Sequence, residues 1–294
     1  TYRGSAPFSE PETQAVRDFV ESHDFPIVFN YHSYGNLLIH PFGHLAGEYP
    51  PDQDLEVFTN LANEMTRFNG YQIGTGIETV GYTVNGEACD WMYGEHGIFS
   101  YTPEIGSSSD GFWPPTDRIV ELAEDNLYSN KTLAWASGEL LVGEISFDGS
   151  LLIQGEEYGL DYKVTNIGTQ ESSSNITVEI SSSLNEQVEI FDLGTLQSQE
   201  TFESQLIIQI PTEAVDGQQA EIVMSLYQDG GHHFIYKENF VIGVPSVYFS
   251  DNAETGMGNW TIDSTFPFGS WGISSDSFEG EFSFSDSPSG EYQG

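Results

Sequence analysis

The run Pro26-Ile27-Val28-Phe29-Asn30-Tyr31-His32-Ser33-Tyr34-Gly35 decides the reading of the fold. Its first half is short, mostly apolar and β-prone, as expected of a strand buried in a covered sheet. It then breaks into a polar turn at His32. The segment before it, Ser9 to His23, reads as a helix. Ser9 and Glu12 form a capping-box pattern there, and Val16, Phe19 and Val20 form an apolar stripe. A second helix is expected over Asp52 to Phe68, with Leu55, Phe58, Leu61, Ala62 and Met65 on one face. A third is expected after Pro114-Pro115, with Ile119, Leu122, Ala123, Asn126 and Leu127 on one side, and a further strand over Gly97 to Thr102. Helices alternating with buried strands predict an α/β portion: a mixed sheet with helices on both faces, incomplete as it stands.

The pattern changes near Gly138. From Glu139 to Val244 short alternating runs dominate, such as Gly159–Val164, Asn175–Ile180 and Gln205–Ile210. Asp229-Gly230-Gly231 sits between two such runs as a hairpin signal. This stretch predicts an all-β immunoglobulin-like sandwich. Pro245 opens a third region rich in Gly, Ser, Asp and aromatics, read as the start of a further jelly-roll-like β domain. A disordered tail fits less well, because Trp260, Phe266, Phe268 and Trp271 are costly to expose. The expected division is therefore 1–138, 139–244 and 245–294.

Charge excludes several partners. Among 294 residues, 46 Asp and Glu face seven Lys and Arg, a formal charge of −39. Residues 1–138 hold 20 acidic and five basic residues, and 139–294 hold 26 and two. Such a surface repels nucleic acid and anionic membranes, and its self-repulsion weakens in salt. No apolar run of 18 residues occurs, so no membrane insertion is expected. The expected setting is secreted or cell-surface, in a saline environment and bacterial. The single cysteine, Cys89, excludes an intrachain disulfide and Cys-rich zinc modules. Thr1-Tyr2-Arg3-Gly4 resembles no signal peptide and reads as mid-domain sequence. The sequence points to no oligomeric state.

His32 lies where a buried strand ends, the place where ligands collect in α/β sheets, and imidazole is a good zinc ligand. Alone, such a histidine reads rather as a core or turn residue satisfied by a hydrogen bond. A second segment, Gly81-Tyr82-Thr83-Val84-Asn85-Gly86-Glu87-Ala88-Cys89-Asp90-Trp91, leads to Tyr101-Thr102-Pro103-Glu104. Three features occur in order: His32-Ser33-Tyr34 followed by a Pro41-Phe42-Gly43 turn, Tyr82 with seven residues between it and Asp90-Trp91, and Glu104 thirteen residues after Trp91. Together with the lead-in Tyr2 to Thr13, residues 1–138 resemble the C-terminal half of the catalytic domain of the zinc carboxypeptidases. The closer likeness is to the secreted bacterial members related to carboxypeptidase T.

The resemblance implies roles residue by residue. His32 matches the third protein ligand of one Zn2+ ion. Glu104 matches the carboxylate that takes a proton from the attacking water and passes it to the leaving amine. Tyr82 matches the mobile tyrosine that closes over substrate, and Gly81, Asn85 and Gly86 suit a moving loop. Ser33 and Tyr34 match positions lining the outer subsites. Cys89 falls at the floor of the pocket for the C-terminal side chain, where a small neutral residue favours neutral or apolar side chains. Asp90 reads as structural. The implied substrate is the C-terminus of a peptide or protein.

The sequence also departs from the family. Its first two zinc ligands come from an His-x-x-Glu motif. Here the residues three places after the seven histidines are Pro26, Gly35, Gly43, Gly47, Phe99, Ile235 and Tyr236. His44 and Glu48 are four apart, in a Gly/Pro-rich stretch. Arg3 and Arg17 lie outside the positions that grip a substrate carboxylate. The chain is therefore expected to be a fragment, inactive alone, of a multidomain metallocarboxypeptidase. The alternatives are a cell-wall peptide amidase with the same zinc machinery, and a secreted adhesion or glycan-binding protein with a degenerate peptidase half. His232-His233 reads as turn-flanking rather than metal-binding. Asp251 and Glu254 have no calcium-loop spacing. The sequons at Asn130, Asn175 and Asn259 read as chance matches.

Overall fold

A computed structural model describes residues 4–147, 152–184, 188–228, 233–243, 272–274 and 283–285. The chain divides into two compact units, Thr1–Gly243 and Val244–Gly294. In the second, β12 (Gly272–Ser274) pairs antiparallel with β13 (Ser283–Ser285). The expectations resting on Tyr2, Arg3, Asp229 to His232, Asp251, Glu254, Asn259 and the aromatics 260–271 lie outside the described residues.

The first unit begins with α1 (Pro11–Glu21) and β1 (Ile27–Phe29). Then come β2 (Leu37–Ile39), α2 (Asp52–Met65), β3 (Gln72–Gly74), α3 (Gly76–Thr79), α4 (Ala88–His96) and β4 (Phe99–Glu104). Next are α5 (Ile119–Asp125) and α6 (Leu127–Ala136). The sheet order is β1-β4-β2-β3. β1 runs parallel to β4, β4 antiparallel to β2, and β2 parallel to β3, so the sheet is mixed.

Helices cover both faces of this sheet. Ile27 and Tyr101 pack with Phe58, Leu61 and Met65 of α2 on one side. Val28 packs with Val20 of α1 and Met92 of α4 on the other. Neighbours along β1 thus face opposite ways, as strand geometry requires. Tyr101 is fully buried, and its hydroxyl donates to the Phe58 carbonyl at 2.9 Å, which satisfies the one polar atom that this aromatic brings into the core.

Several local expectations are corrected. Glu10, not Ser9, is the N-cap of α1, because Pro11 takes the first helical position, where a missing N–H costs nothing. The Ser9 hydroxyl donates instead to Glu10. Of the stripe on α1, Val20 is buried whereas Val16 and Phe19 are exposed. The capping box forms at Thr75 and Glu78, where Glu78 Oε2 accepts from the Thr75 N–H at 2.8 Å. The single helix expected after Pro114-Pro115 is two helices, broken at Asn126. The buried Asn126 amide donates to the Tyr71 hydroxyl and the Leu122 carbonyl, both at 2.9 Å, while Ile119, Ala123 and Leu127 are exposed.

After Ala136 the first unit holds strands only, among the described residues: β5 (Leu141–Phe147), β6 (Glu157–Asn166), β7 (Ile176–Ser182), β8 (Val188–Gly194), β9 (Thr201–Gln209), β10 (Gln219–Gln228) and β11 (His233–Val241). They form two antiparallel sheets, β5-β6-β9 and β11-β10-β7-β8. Both feed one aliphatic core: Leu160 and Val164 of the first meet Val178, Ile180, Ile222 and Leu226 of the second. This core is separate from the one around Phe58, but the chain stitches the two regions together. The buried Asn166 accepts from the Leu140 and Gly168 N–H groups at 3.2 and 3.0 Å and donates to the Gln170 and Leu196 carbonyls at 2.8 and 3.1 Å. No helix of the described residues is long and apolar enough to cross a membrane.

Candidate active site

The parallel pairing of β1 with β4 assembles the site. Ile27 stands opposite Phe99, and Phe29 opposite Tyr101. The same register, carried past the end of β1, sets His32 opposite Glu104. The His32 N–H donates to the Pro103 carbonyl at 2.9 Å and the Ile105 N–H to the His32 carbonyl at 3.1 Å, so both residues are clamped through their backbones. The His32 Nδ1 to Glu104 Oε1 distance is 3.9 Å.

The two side chains differ in exposure. His32 is 55% exposed, whereas Glu104 is 15% exposed, and its Oε2 is buried with no hydrogen-bond partner. An orphaned carboxylate oxygen is costly, and such groups mark functional sites. Burial pushes the Glu104 pKa up, opposed by the nearby imidazole.

The turn after His32 is held from below. The Gly35 and Asn36 N–H groups both donate to the Gly106 carbonyl, at 2.8 and 3.0 Å. Ser33 and Tyr34 are half-buried, and the Tyr34 ring meets Phe112 edge-on at 4.9 Å. Phe112 and Trp113 are exposed on a loop anchored at Asp110, which accepts from Ser107 N–H at 2.8 Å and from Arg118 Nε at 2.8 Å. Those bonds hold the Asp110 carboxyl below the usual carboxylate range.

Cys89 and Asp90 open α4. Cys89 is 1% exposed; its thiol donates to the Ser100 carbonyl at 2.9 Å, and burial pushes its pKa up. Asp90 accepts from the Gly43 and His44 N–H groups at 2.8 and 3.1 Å and from His44 Nδ1 at 2.9 Å. His44 reaches Glu48 with Nε2 at 3.1 Å, and the Asp90 bond raises its pKa. Tyr82 is 61% exposed on a loop flanked by Gly81 and Gly86, both at φ +80°, a conformation that glycine takes without strain.

The structure therefore brings His32 and Glu104 together and sets Tyr34 over the neighbouring loop. Tyr82 lies on the loop between α3 and α4. One residue near the pair was not picked out from the sequence. Glu87 accepts from the Thr102 hydroxyl at 3.1 Å, and burial, with Asp90 nearby, pushes its pKa up. No spacing marks it; it is near Thr102 only through the α4–β4 packing.

Zinc is the group this arrangement brings to mind, and the donors test it. His32 offers one accessible imidazole. Among the described residues there is no group of three or more His, Cys, Asp or Glu side chains able to hold a metal ion. The donors present do not by themselves fit a closed zinc site.

Residues 1–129 match the family model described as zinc carboxypeptidase. Mouse carboxypeptidase A4 is 33% identical over 138 residues, covering 45% of this chain and 32% of that protein. Carboxypeptidase B of Astacus astacus is 33% identical over 141 residues, covering 45% of this chain and 46% of that protein. Bovine thrombin-activatable fibrinolysis inhibitor, in complex with tick carboxypeptidase inhibitor, aligns at a TM-score of 0.42 with 26% identity, over 45% of this chain and 47% of that one. The chain spans only 32% and 46% of the length of these two curated relatives. Residues 1–129 are thus similar to a segment of the zinc carboxypeptidases.

Proposed function

We propose that the protein is a metallocarboxypeptidase that hydrolyses C-terminal peptide bonds, with Glu104 as general base and His32 as one protein ligand of the zinc. The observation that carries this reading is the His32–Glu104 pair, joined by one strand register, with the buried Glu104 Oε2 unpartnered. The reading requires further zinc ligands beyond the described residues. When bound, zinc acidifies water and polarises the scissile carbonyl.

Glu104 moves the proton. Its carboxylate removes one from the attacking water and returns it to the departing amine, so it ends as it began. The burial that raises its pKa makes it a stronger base than a solvated glutamate. Catalysis needs the deprotonated form, so activity rises with pH through a value above the ordinary glutamate pKa. Tyr82 closes over the substrate, Ser33 and Tyr34 line the subsites upstream of the scissile bond, and Cys89 underlies the pocket for the last side chain.

The two antiparallel sheets after Gly138 are read as an immunoglobulin-like accessory module over 139–244, with a further β domain from 245. The acidic surface suits a secreted or cell-surface protein acting on peptides in salt.

The test uses the protein carrying the complete catalytic domain, loaded with zinc. Glu104→Gln is expected to lower kcat/KM on blocked peptides by about 10²- to 10⁴-fold with zinc content unchanged. Residual activity within tenfold of wild type removes Glu104 from its role. A zinc-loaded wild type that turns over no peptide removes the enzyme reading and leaves a binding protein.

A further inference from the structure

Two Asn-Gly dipeptides occur in the chain, Asn69-Gly70 and Asn85-Gly86. Such a pair carries its own modification chemistry. The glycine nitrogen, unshielded by any Cβ of its own residue, can attack the asparagine side-chain carbonyl. The two dipeptides are identical in sequence, so the fold decides which of them reacts.

Asn69-Gly70 is held closed. The Asn69 amide donates to the Asp125 carbonyl at 3.4 Å and the Ser129 hydroxyl at 3.2 Å, and its oxygen accepts from the Tyr71 N–H at 3.2 Å. The Gly70 N–H, the nucleophile, donates to the Thr66 carbonyl at 2.8 Å. Asn85-Gly86 is the reverse. Both residues are exposed, and among the described residues neither the Asn85 side chain nor the Gly86 N–H makes a hydrogen bond. Gly86 stands at φ +80°, and a Cβ added there would meet nothing within 4 Å, so space is open around the atoms that must meet.

The open dipeptide lies between two anchors. Before it, the Val84 N–H donates to the Gly43 carbonyl at 2.9 Å, which ties the segment carrying Tyr82 to the Gly43 turn. After it, Glu87 is the N-cap of α4 and accepts from the Thr102 hydroxyl at 3.1 Å. The second anchor is the firmer, because the first turn of α4 is fixed by Cys89, 1% exposed.

We propose that Asn85-Gly86 is a site of spontaneous modification, and that its conversion frees the Tyr82 loop from the Gly43 turn. The Gly86 nitrogen forms a bond to Asn85 Cγ, the Cγ–Nδ2 bond breaks, and ammonia leaves with the proton that the nitrogen gave up. Water then opens the cyclic imide. Addition at Cγ gives aspartate. Addition at the main-chain carbonyl gives isoaspartate, whose backbone runs through the side chain and is one carbon longer. That carbon adds ~1.5 Å of path between the anchors, and the single Val84 bond is the one that yields.

The conversion needs no catalysis by the site, so its test is independent of the carboxypeptidase reading. Protein carrying the complete catalytic domain is aged at neutral pH, in buffer and in urea, then digested for mass spectrometry. In urea the two dipeptides are expected to convert at similar rates. In the folded protein Asn85 is expected to convert about 10- to 100-fold faster than Asn69, whose hydrogen bonds must open first. Asn85→Gln is expected to stop the conversion, since glutamine would have to close a larger, slower ring. Aged wild type is expected to lose about tenfold of the hydrogen-exchange protection at the Val84 N–H, and aged Asn85→Gln to keep it. A folded protein in which Asn85 stays amidated, or converts no faster than Asn69, overturns the modification site. Conversion that leaves Val84 as protected as before overturns the release of the loop.

Discussion

The α/β region and the β-rich region that follows it are built on opposite plans. In the first, strands β1, β2 and β3 are three residues each, and the core packs aliphatic side chains around the rings of Phe58, Tyr93 and Tyr101. Its functional groups sit at the strand ends, Glu104 as the last residue of β4 and His32 just past β1, and an orphaned carboxylate oxygen is tolerated there. In the second, strands run seven to ten residues, and β7 alternates buried and half-buried residues along its whole length over an aliphatic core. Short strands with long excursions assemble a site; long strands with regular alternation assemble a support. Stability and chemistry are thus separated along one chain.

The sharpest way to break this contrast is to empty each core. Phe58→Ala is expected to cost about 3–5 kcal/mol, and Ile222→Ala about 2–5 kcal/mol. Hydrogen exchange should show F58A loosening β1 and β4, and I222A loosening β7 and β11. A uniform response to either variant would mean that the two cores unfold as one. Asn166→Ala probes the seam between them. It strips partners from the Leu140 and Gly168 N–H groups, so about 2–3 kcal/mol is expected, read by denaturant titration as protection lost on both sides.

A smaller effect has the opposite sign. The Glu104 pKa is raised by burial, so its native carboxyl favours the protonated form. Its contribution to stability is therefore full below the ordinary glutamate pKa and is lost as pH rises through the raised value. At neutral pH Glu104→Gln is expected to stabilise the fold by about 1 kcal/mol while removing activity, the trade expected at a functional site. A variant that melts lower than wild type at pH 7 and equally at pH 4 would contradict this sign. The smallest effect is that of salt. Raising NaCl from about 0.1 to 1 M shortens the screening length from ~10 to ~3 Å. The melting temperature is expected to rise by about 3 °C, and a fall would count against self-repulsion as a burden on this fold.

The β-rich strands were legible because alternation is a local signal, and runs such as Asn175–Ile180 carry it in full. β2 and β3 were not, because three residues hold no period and their pairing is fixed by partners far along the chain. The capping pattern at Ser9 misled because Pro11 overrode it, while the pair that does close, Thr75 with Glu78, sits on a helix of only four residues. His32 and Glu104 were found through ordered motifs. Glu87 belongs to no motif; its position emerges only when α4 packs on β4.

The shared register of β1 and β4 has a consequence for how such chains tolerate insertions and deletions. Ile27 to His32 and Phe99 to Glu104 are runs of equal length, leaving the same ladder in step. One residue added to either run would carry its functional group about 3.3 Å onward and turn it to the other face of the sheet. Within the excursion between the two runs β2 is under the same restraint through its pairing with β4, whereas the loops that join its elements are not, since doubling a loop costs only about 0.6 kcal/mol. Length changes in this fold are therefore expected in the loops of that excursion, while β2 and the two short runs stay locked to β4.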